Sequence, residues 1–171
     1  MSTNSNMDLT GFDGIWDMDP EASFVWDVEQ GKWVPEWVQA QHMTLRHEGA
    51  KQIYTVRIQI ADDLATHMGY ESIFGDPTWV PYSVWEIEGD PDHELLKPGD
   101  MLKSGIVLRQ PMAWVVQTYV DPQTHYRITK NLDGTAQYSM SRRLSDDGDS
   151  IVSVVTLPDG TPSVSKTFRR A

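Results

Sequence analysis

The chain has 171 residues, of which 39% are hydrophobic and 10% aromatic, with no cysteine and a formal net charge of -11. This apolar content excludes an intrinsically disordered chain, and the length suits one domain with a buried core. The lack of cysteine excludes disulfides, zinc–cysteine sites, iron–sulfur clusters and thiol nucleophiles. The acidic balance argues against nucleic acid and membranes as partners, because phosphate backbones and anionic lipids repel it.

The ends of the chain suggest a simple organisation. Residues 1–10 are small and polar, which predicts a flexible tail, and residues 11–171 then form a single domain. The N-terminus has neither a basic start nor an apolar run, and no stretch is long enough to span a bilayer. A cytoplasmic location is therefore the expectation.

Beyond Gly11 the repeated pattern is a short run of alternating character, rich in β-branched and aromatic residues and closed by Gly, Asp, Asn or Pro. The clearest runs cover residues 41–47, 52–61, 82–88, 104–109, 113–120, 124–130, 135–144, 150–157 and 163–170, and the segment around Trp16 adds another. Short turns between them favour antiparallel hairpins. A meander of about 8–10 strands removes its two exposed edges by closing. The predicted fold class is all-β, an antiparallel up-and-down barrel.

Three stretches fit the meander less well. Residues 62–68 are compatible with a short helical turn after an Asp cap, and residues 90–100 form a loop rich in Pro, Asp and Gly. Both are candidate lids at the barrel rim, with solvated connectors as the alternative. The segment Gly31–Trp37 is either a strap across the barrel mouth or an interaction surface that uses Trp33 and Trp37.

The sequence Gly14-Ile15-Trp16, with acidic residues on both sides, resembles the Gly-x-Trp at the start of lipocalins and other calycins. The stretches 142–148 and 166–170 are similar to the last hairpins of small bacterial lipocalin-like proteins. The resemblance implies a barrel in which Trp16 packs beside Arg170 and closes the base, since an indole face accepts a guanidinium. The chain departs from the heme-binding nitrobindin branch, because residues 17–20 replace its glycine-rich extension. No cofactor is expected.

Strand parity predicts which side chains point into the barrel. One face of residues 135–144 carries Ala136, Tyr138, Met140, Arg142 and Leu144, and it is apolar except for the arginine. The same test turns Met43, Leu45, His47, Tyr54, Val56, Ile58, Ile60, Tyr126 and Ile128 inward. We therefore predict ligand contacts from Tyr54, Trp85, Trp114, Tyr126 and Met140, with ordinary packing as the alternative for each tyrosine.

An inward arginine is more diagnostic, because an unpaired buried guanidinium is costly. Arg142 must meet a carboxylate, such as Asp17 or Glu86, or else an anionic ligand or water.

Histidines provide the candidate proton acceptors. His42, His93 and His125 fall on polar faces or in loops, and His67 lies in the possible lid. His47 ends an apolar face beside a tight turn, which predicts a position at the barrel mouth, where an imidazole can accept a proton. Neither a helical zinc spacing nor a calcium-loop order is present, so no metal site is expected.

Two functions remain open at this point. In the first, the barrel binds a small hydrophobic, aromatic or polycyclic molecule. In the second, it is a cofactor-independent lyase, isomerase or cyclase in which His47 moves a proton while Tyr138 or Arg142 stabilises developing oxyanion charge. Hydrolase, kinase and nicotinamide motifs are absent from the sequence. A homodimer is compatible with either function.

Overall fold

A computed structural model describes residues 6–99 and 104–171. Within these residues the chain forms β1 (Gly14–Met18), β2 (Phe24–Asp27), β3 (Lys32–Pro35), β4 (Ala40–Glu48), β5 (Lys51–Ala61), β6 (Leu64–Ile73), β7 (Val80–Glu88), β8 (Pro111–Asp121), β9 (Thr124–Lys130), β10 (Ala136–Leu144), β11 (Ser150–Thr156) and β12 (Pro162–Arg170). Short 3-10 helices cover Thr10–Phe12, Pro20–Ala22 and Glu94–Leu96.

The strands close into an antiparallel barrel. β1 and β4 to β12 follow one another around the sheet, and β12 returns to pair with β1, where Trp16 lies opposite Arg170. This arrangement confirms the predicted all-β, up-and-down barrel. Closure leaves the barrel strands without a free edge, which removes a site of uncontrolled strand pairing.

The first hairpin is one long ribbon with an interruption. Asp17 of β1 pairs with His42 of β4, and Phe24 of β2 pairs with Pro35 of β3. Phe24 lies seven residues after Asp17, and Pro35 lies seven residues before His42. The register therefore survives the break, where the Asp19 side chain accepts a hydrogen bond from the Glu21 N–H of the second 3-10 helix. The segment Gly31–Trp37 is accordingly mostly strand.

Two sequence expectations about local structure were wrong. Residues 62–68 contain no helix: residues 62 and 63 form a tight turn, and β6 follows directly. The sequence did not predict β6, because Gly69 interrupts its alternating pattern. The glycine is required by the close approach to β5, since a Cβ at this position would lie 2.0 Å from the Tyr54 carbonyl oxygen. Residues 104–109 form turns and irregular backbone, not a strand.

The connection from β7 to β8 lies along one rim of the barrel. Leu96 is buried, and its carbonyl accepts a hydrogen bond from the Ile106 N–H, while Ile106 packs against the core. The described part of the predicted lid at 90–100 is thus a mostly exposed rim segment with one 3-10 turn, anchored through buried Leu96. Residue 100 lies outside the described residues. We call this rim the open end, and the rim with the turn between β4 and β5 the closed end.

The N-terminal segment covers the closed end. Leu9 and Phe12 are buried in the core and Met7 packs against it, so residues 7–10 do not form the loose tail that the sequence suggested. Residues 1–5 of that tail lie outside the described residues. The Trp16 indole N–H donates to the Phe12 carbonyl oxygen at 3.0 Å, which ties this segment to β1.

Trp16 and Arg170 complete the closure in the packing that the family resemblance implied. The Arg170 guanidinium carbon lies 4.3 Å from the centre of the Trp16 ring. The guanidinium also donates to the carbonyl oxygens of Gly11, Asp13 and Gly148. One side chain therefore joins the two ends of the chain to the turn between β10 and β11.

We expect Trp16→Ala to lower the free energy of unfolding by about 3–5 kcal/mol, because it leaves a large cavity beneath Arg170. Trp85→Ala, at a tryptophan that is 41% exposed, is the matched control and should cost less than about 1 kcal/mol. Urea unfolding of both variants measures the difference. Equal losses would contradict a special role for the Trp16 packing.

Candidate ligand-binding interior

The inner wall near the open end is apolar and partly accessible. On β5 the inward positions run from Tyr54 through Val56 to Ile58 and Ile60, and exposure rises from buried to intermediate along that series. Val155 and Val164, opposite each other on β11 and β12, are also partly exposed. The inward side chains at this end are therefore mostly apolar and partly accessible, and Lys166, on the same face of β12 as Val164, pairs with Glu36 at 3.3 Å.

Beside the hydrophobic core of the closed end, the inner wall carries a buried cluster of polar side chains. Its side chains include two cations, two imidazoles, two amides and a set of phenols: Arg127, Arg142, His47, His125, Gln52, Gln117, Tyr54, Tyr70 and Tyr82. Neighbouring strands bring them together, since His125 lies opposite Arg142 and Arg127 lies opposite Met140. The barrel thus has a buried cationic floor below a mostly apolar wall.

Arg127 and Arg142 are the most unusual members of this floor. Arg142 is 2% exposed and Arg127 is 6% exposed. Among the described residues neither arginine has a carboxylate within 4.0 Å, and Nε and Nη1 of both lack a hydrogen-bond partner. Asp17, one of the two carboxylates that the sequence offered as a partner of Arg142, contacts His42 instead. The two guanidiniums therefore carry unneutralised charge in the barrel.

Tyrosine rings surround the two cations. The Arg127 guanidinium lies 5.3–5.7 Å from the ring centres of Tyr54, Tyr70, Tyr82 and Tyr138. Its Nη2 also donates to the Tyr138 hydroxyl at 2.7 Å. Arg142 lies 4.7 Å from the Tyr54 ring centre. Ring faces attract cations, so they partly offset the cost of burial without supplying a full negative charge.

The electrostatics follow from this crowding. Burial alone would lower the pKa of Arg127, but the phenols of Tyr138, Tyr70, Tyr82 and Tyr54 outweigh it and raise that pKa, so the guanidinium stays charged. Burial raises the pKa of Tyr82 well above its usual value, and the neighbouring Tyr54 adds to the rise. Tyr82 therefore remains a neutral phenol.

His47 lies at the closed end, so the prediction that placed it at the barrel mouth was wrong. Its side chain is 2% exposed, and Nδ1 lies 2.8 Å from an Asp13 carboxylate oxygen. Nε2 lies 2.9 Å from the Gln52 amide nitrogen, and this pairing indicates that Nε2 accepts while Nδ1–H donates to Asp13. Both ring nitrogens are thus engaged within the protein. Burial lowers the pKa of His47, and Arg142 lowers it further against the opposing effect of Asp13.

The inward face of β9 is the reverse of the sequence prediction. Tyr126 and Ile128 are 42% and 41% exposed, whereas His125, Arg127 and Thr129 are buried. The usual assignment of the more apolar face to the interior failed here because the floor is polar. The available signal was that the other face of this strand carries both a histidine and an arginine.

The two predicted tryptophan contacts also lie outside the interior. Trp85 is 41% exposed and lies near His67, which itself contacts the Glu88 carboxylate at 2.7 Å. Trp114 lines a groove of about 320 Å³ at the open rim, together with Val107, Pro111 and Leu132. Of the predicted ligand contacts, Tyr54 and Met140 lie on the inner wall of the barrel. Tyr138 and Arg142, predicted as oxyanion stabilisers, lie there as well.

His125 sits between two rings at the centre of the closed end. It contacts Phe12 and Phe74 with ring centres 4.5 and 5.1 Å apart, and neither ring nitrogen has a hydrogen-bond partner among the described residues. Burial lowers the pKa of His125 well below its usual 6.5, and the charges of Arg142, His47 and Arg127 add to this. Sequence reasoning had placed His125 on a solvated face.

Residues 6–99 and 104–171 contain no cluster of three or more histidine, aspartate or glutamate side chains suited to a metal ion. In the same part of the chain, no helix is both long enough and apolar enough to cross a membrane.

The barrel is lipocalin-like in fold, a closed antiparallel meander. Among solved structures it is similar to the crystal structure of the fluorescent protein UnaG, in an asparagine-to-alanine mutant, with a TM-score of 0.56 and 16% sequence identity. The match covers 95% of this chain and 97% of the other. At that identity the likeness concerns the fold alone. No family model matches the sequence, and no curated protein matches it.

We expect acid to destabilise the barrel through His125. The pKa of His125 is depressed in the folded state. Below about pH 6.5 the unfolded chain therefore binds a proton that the folded chain does not bind. The free energy of unfolding should fall with decreasing pH by up to about 1.4 kcal/mol per pH unit for such a histidine. Urea unfolding between neutral pH and about pH 5 should show a smaller fall in His125→Leu than in wild type. The exposed His42→Gln is the control, and an unchanged slope in His125→Leu would refute the assignment.

We also expect Arg142→Met to raise the free energy of unfolding by about 1–4 kcal/mol at neutral pH, because it removes an unpaired buried charge and keeps the side-chain volume. Arg143→Met, at the exposed neighbour on the same strand, should change it by less than about 0.5 kcal/mol. Thermal and urea unfolding test both. A loss of stability in Arg142→Met would mean that the guanidinium is structurally required.

Proposed function

We propose that this protein binds a small apolar molecule, aromatic or polycyclic in character, that carries an anionic group. The observation behind the proposal is the pair Arg127 and Arg142, both buried and without a carboxylate partner among the described residues. The acid group would lie against the two guanidiniums, and the apolar body would extend toward the open end past Val56 and Ile58.

The energetics favour an anion over a neutral ligand. Two unpaired buried guanidiniums cost several kcal/mol of desolvation, and that cost falls when a carboxylate accepts their N–H groups. The free donors are Nε and Nη1 of each arginine, so the site offers more than one hydrogen bond to a single acid group. An uncharged ligand would leave these donors unmatched.

The surroundings favour a ring-containing body. Tyr54, Tyr70 and Tyr82 pack with ring centres 4.9–6.0 Å apart, so a flat ligand meets rings at the bottom of the apolar space. Aromatic rings stack or pack edge-to-face at such distances. Met140 and Met68, both buried on the inner wall, add flexible apolar contacts.

The alternative of a cofactor-independent lyase, isomerase or cyclase finds less support in the site. That hypothesis made His47 the proton acceptor, with Tyr138 or Arg142 as the oxyanion stabiliser. Both nitrogens of His47 are engaged by Asp13 and Gln52, whereas a general base needs one nitrogen facing the substrate. Binding is therefore the function we propose. A cytoplasmic location and a homodimer stay predictions.

A matched pair of probes tests the proposal. Anthracene carboxylate and its methyl ester share the ring system and differ in charge, and fluorescence titration measures the affinity of each. Wild type should bind the acid at least about tenfold more tightly than the ester, a difference of about 1.4 kcal/mol. Arg142→Met and Arg127→Met should lose this preference, and Arg143→Met should keep it.

Two results would count against the proposal. Equal affinity of wild type for the acid and the ester would show that the arginines do not receive the anionic group. A preference for the acid that persists in both Arg127→Met and Arg142→Met would place the anion elsewhere.

A further inference from the structure

Ser153 is a buried inward side chain in the middle of β11. It lies opposite Arg142 of β10 on one side and opposite Lys166 of β12 on the other. Directly opposite residues of an antiparallel pair point to the same face of the sheet, with their Cβ atoms about 4.5–5.5 Å apart. Ser153 is 4% exposed, and its Oγ has no hydrogen-bond partner among the described residues. An unmatched hydroxyl therefore lies on the inner wall beside Arg142.

Lys166, the other neighbour of Ser153, is already paired. Its Nζ donates to the Gln41 side-chain oxygen at 2.9 Å and lies 3.3 Å from the Glu36 carboxylate. Both side chains of this ion pair are mostly buried, that of Glu36 almost completely. Lys166 therefore has a counter-charge, unlike the two arginines, and does not require a second acid group from a ligand. A ligand group that meets Ser153 is accordingly neutral.

The place of Ser153 along β11 is the boundary between the buried and the accessible parts of the inner wall. On the inner face of this strand, Ser153 follows the buried Ile151 and precedes the partly exposed Val155. A molecule that fills the accessible part of the lumen and touches Arg142 therefore passes the Ser153 hydroxyl.

His125 differs from Ser153 in this respect. It lies opposite Arg142 on the other side, and its ring nitrogens also lack partners among the described residues. Phe12 and Phe74 pack against its ring, however, with ring centres 4.5 and 5.1 Å away. The imidazole thus belongs to the packing of the closed end, and the serine is the neutral polar group that a ligand can reach.

We infer that the ligand of this barrel is a hydroxy acid, whose acid group meets Arg127 and Arg142 and whose neighbouring hydroxyl forms a hydrogen bond with Ser153. This inference rests on the proposed function, since it takes the arginines as the binding site of the acid group. It adds a second polar group to the ligand and a residue that selects for it.

A hydroxyl is a neutral group that suits Ser153, because a serine hydroxyl both donates and accepts. A ligand hydroxyl that donates to its own carboxylate can accept from Ser153, and one that donates to Ser153 finds an acceptor there. An apolar group in the same place would leave Oγ unmatched, and burying an unmatched polar atom is costly.

The strand register determines where on the ligand this hydroxyl belongs. Ser153 is the direct partner of Arg142, whereas the next inward pair toward the open end, Val155 and Val164, is apolar. A hydroxyl close to the acid group can therefore reach Ser153. A hydroxyl at the far end of the ring system would lie among apolar side chains instead.

The first arm of the test uses wild-type protein and three matched acids. Calorimetric titration at neutral pH compares 2-naphthoate with 3-hydroxy-2-naphthoate, whose hydroxyl lies beside the acid group, and with 6-hydroxy-2-naphthoate, whose hydroxyl lies on the far ring. At this pH all three are carboxylates with the hydroxyl un-ionised. We expect the 3-hydroxy isomer to bind about three- to tenfold more tightly than 2-naphthoate, as one added hydrogen bond implies, and the 6-hydroxy isomer to show no gain.

The second arm assigns the gain to Ser153. Ser153→Ala removes one unpartnered hydroxyl, so the variant should fold and should bind 2-naphthoate as wild type does. It should bind the 3-hydroxy isomer no more tightly than 2-naphthoate. Ser141→Ala is the matched control, because Ser141 precedes Arg142 on β10 and faces the outer side of the sheet, and it should keep the wild-type preference.

The outcomes separate this inference from the proposed function. Equal affinity of wild type for 2-naphthoate and the 3-hydroxy isomer, or a preference that persists in Ser153→Ala, would overturn the hydroxyl site. If wild type still preferred 2-naphthoate to its methyl ester, the proposed function would remain. Equal affinity for 2-naphthoate and its methyl ester would refute the proposed function and the hydroxy-acid ligand together.

Discussion

Unneutralised positive charge inside a closed barrel is the constraint on which the rest of this structure depends. Arg127 and Arg142 are almost fully buried, and the described residues bring no carboxylate to either. A protein keeps such groups only if the remaining contacts tolerate them and, in general, if they serve a purpose other than stability. Here the surrounding tyrosine rings give partial compensation, and His125 and His47 respond by remaining neutral.

The closed end isolates this charge from water. Leu9 and Phe12 lie over the floor of the barrel, and Trp16 holds Phe12 through its indole N–H. Arg170 then stacks on Trp16 and donates to the carbonyl oxygens of Gly11 and Asp13, which flank Phe12 in the chain. Because that end is closed by packed side chains, a ligand of the kind we propose would have to approach from the open end. It would then meet mostly apolar side chains first and the arginines last.

Much of the fold was predictable from the sequence, because hairpin turns and alternating strands leave local patterns. β4, β5 and β10 were predicted almost to their ends, and parity placed Tyr138 and Arg142 on the inner wall. β6 was missed because Gly69, which the neighbouring backbone demands, breaks the alternation. His125 and Arg127 were missed for a different reason: parity defines two faces, but choosing the inner one assumed an apolar interior. That rule considers one strand at a time, so it cannot detect charge compensation among side chains that come from five strands.

The buried guanidiniums also influence the protonation of neighbouring side chains as the pH changes. As the pH falls, His47 and His125 resist protonation because burial and the nearby guanidiniums disfavour additional positive charge. As the pH rises, Tyr54 yields its proton sooner than a free phenol because the same guanidiniums favour its anion. The guanidiniums contribute to both effects, whereas burial is the largest cause of the low pKa of the two histidines and opposes the lowering of the Tyr54 pKa. The chemistry of this interior is therefore set by the charge state of a few inward residues, and not by the shape of the barrel that holds them.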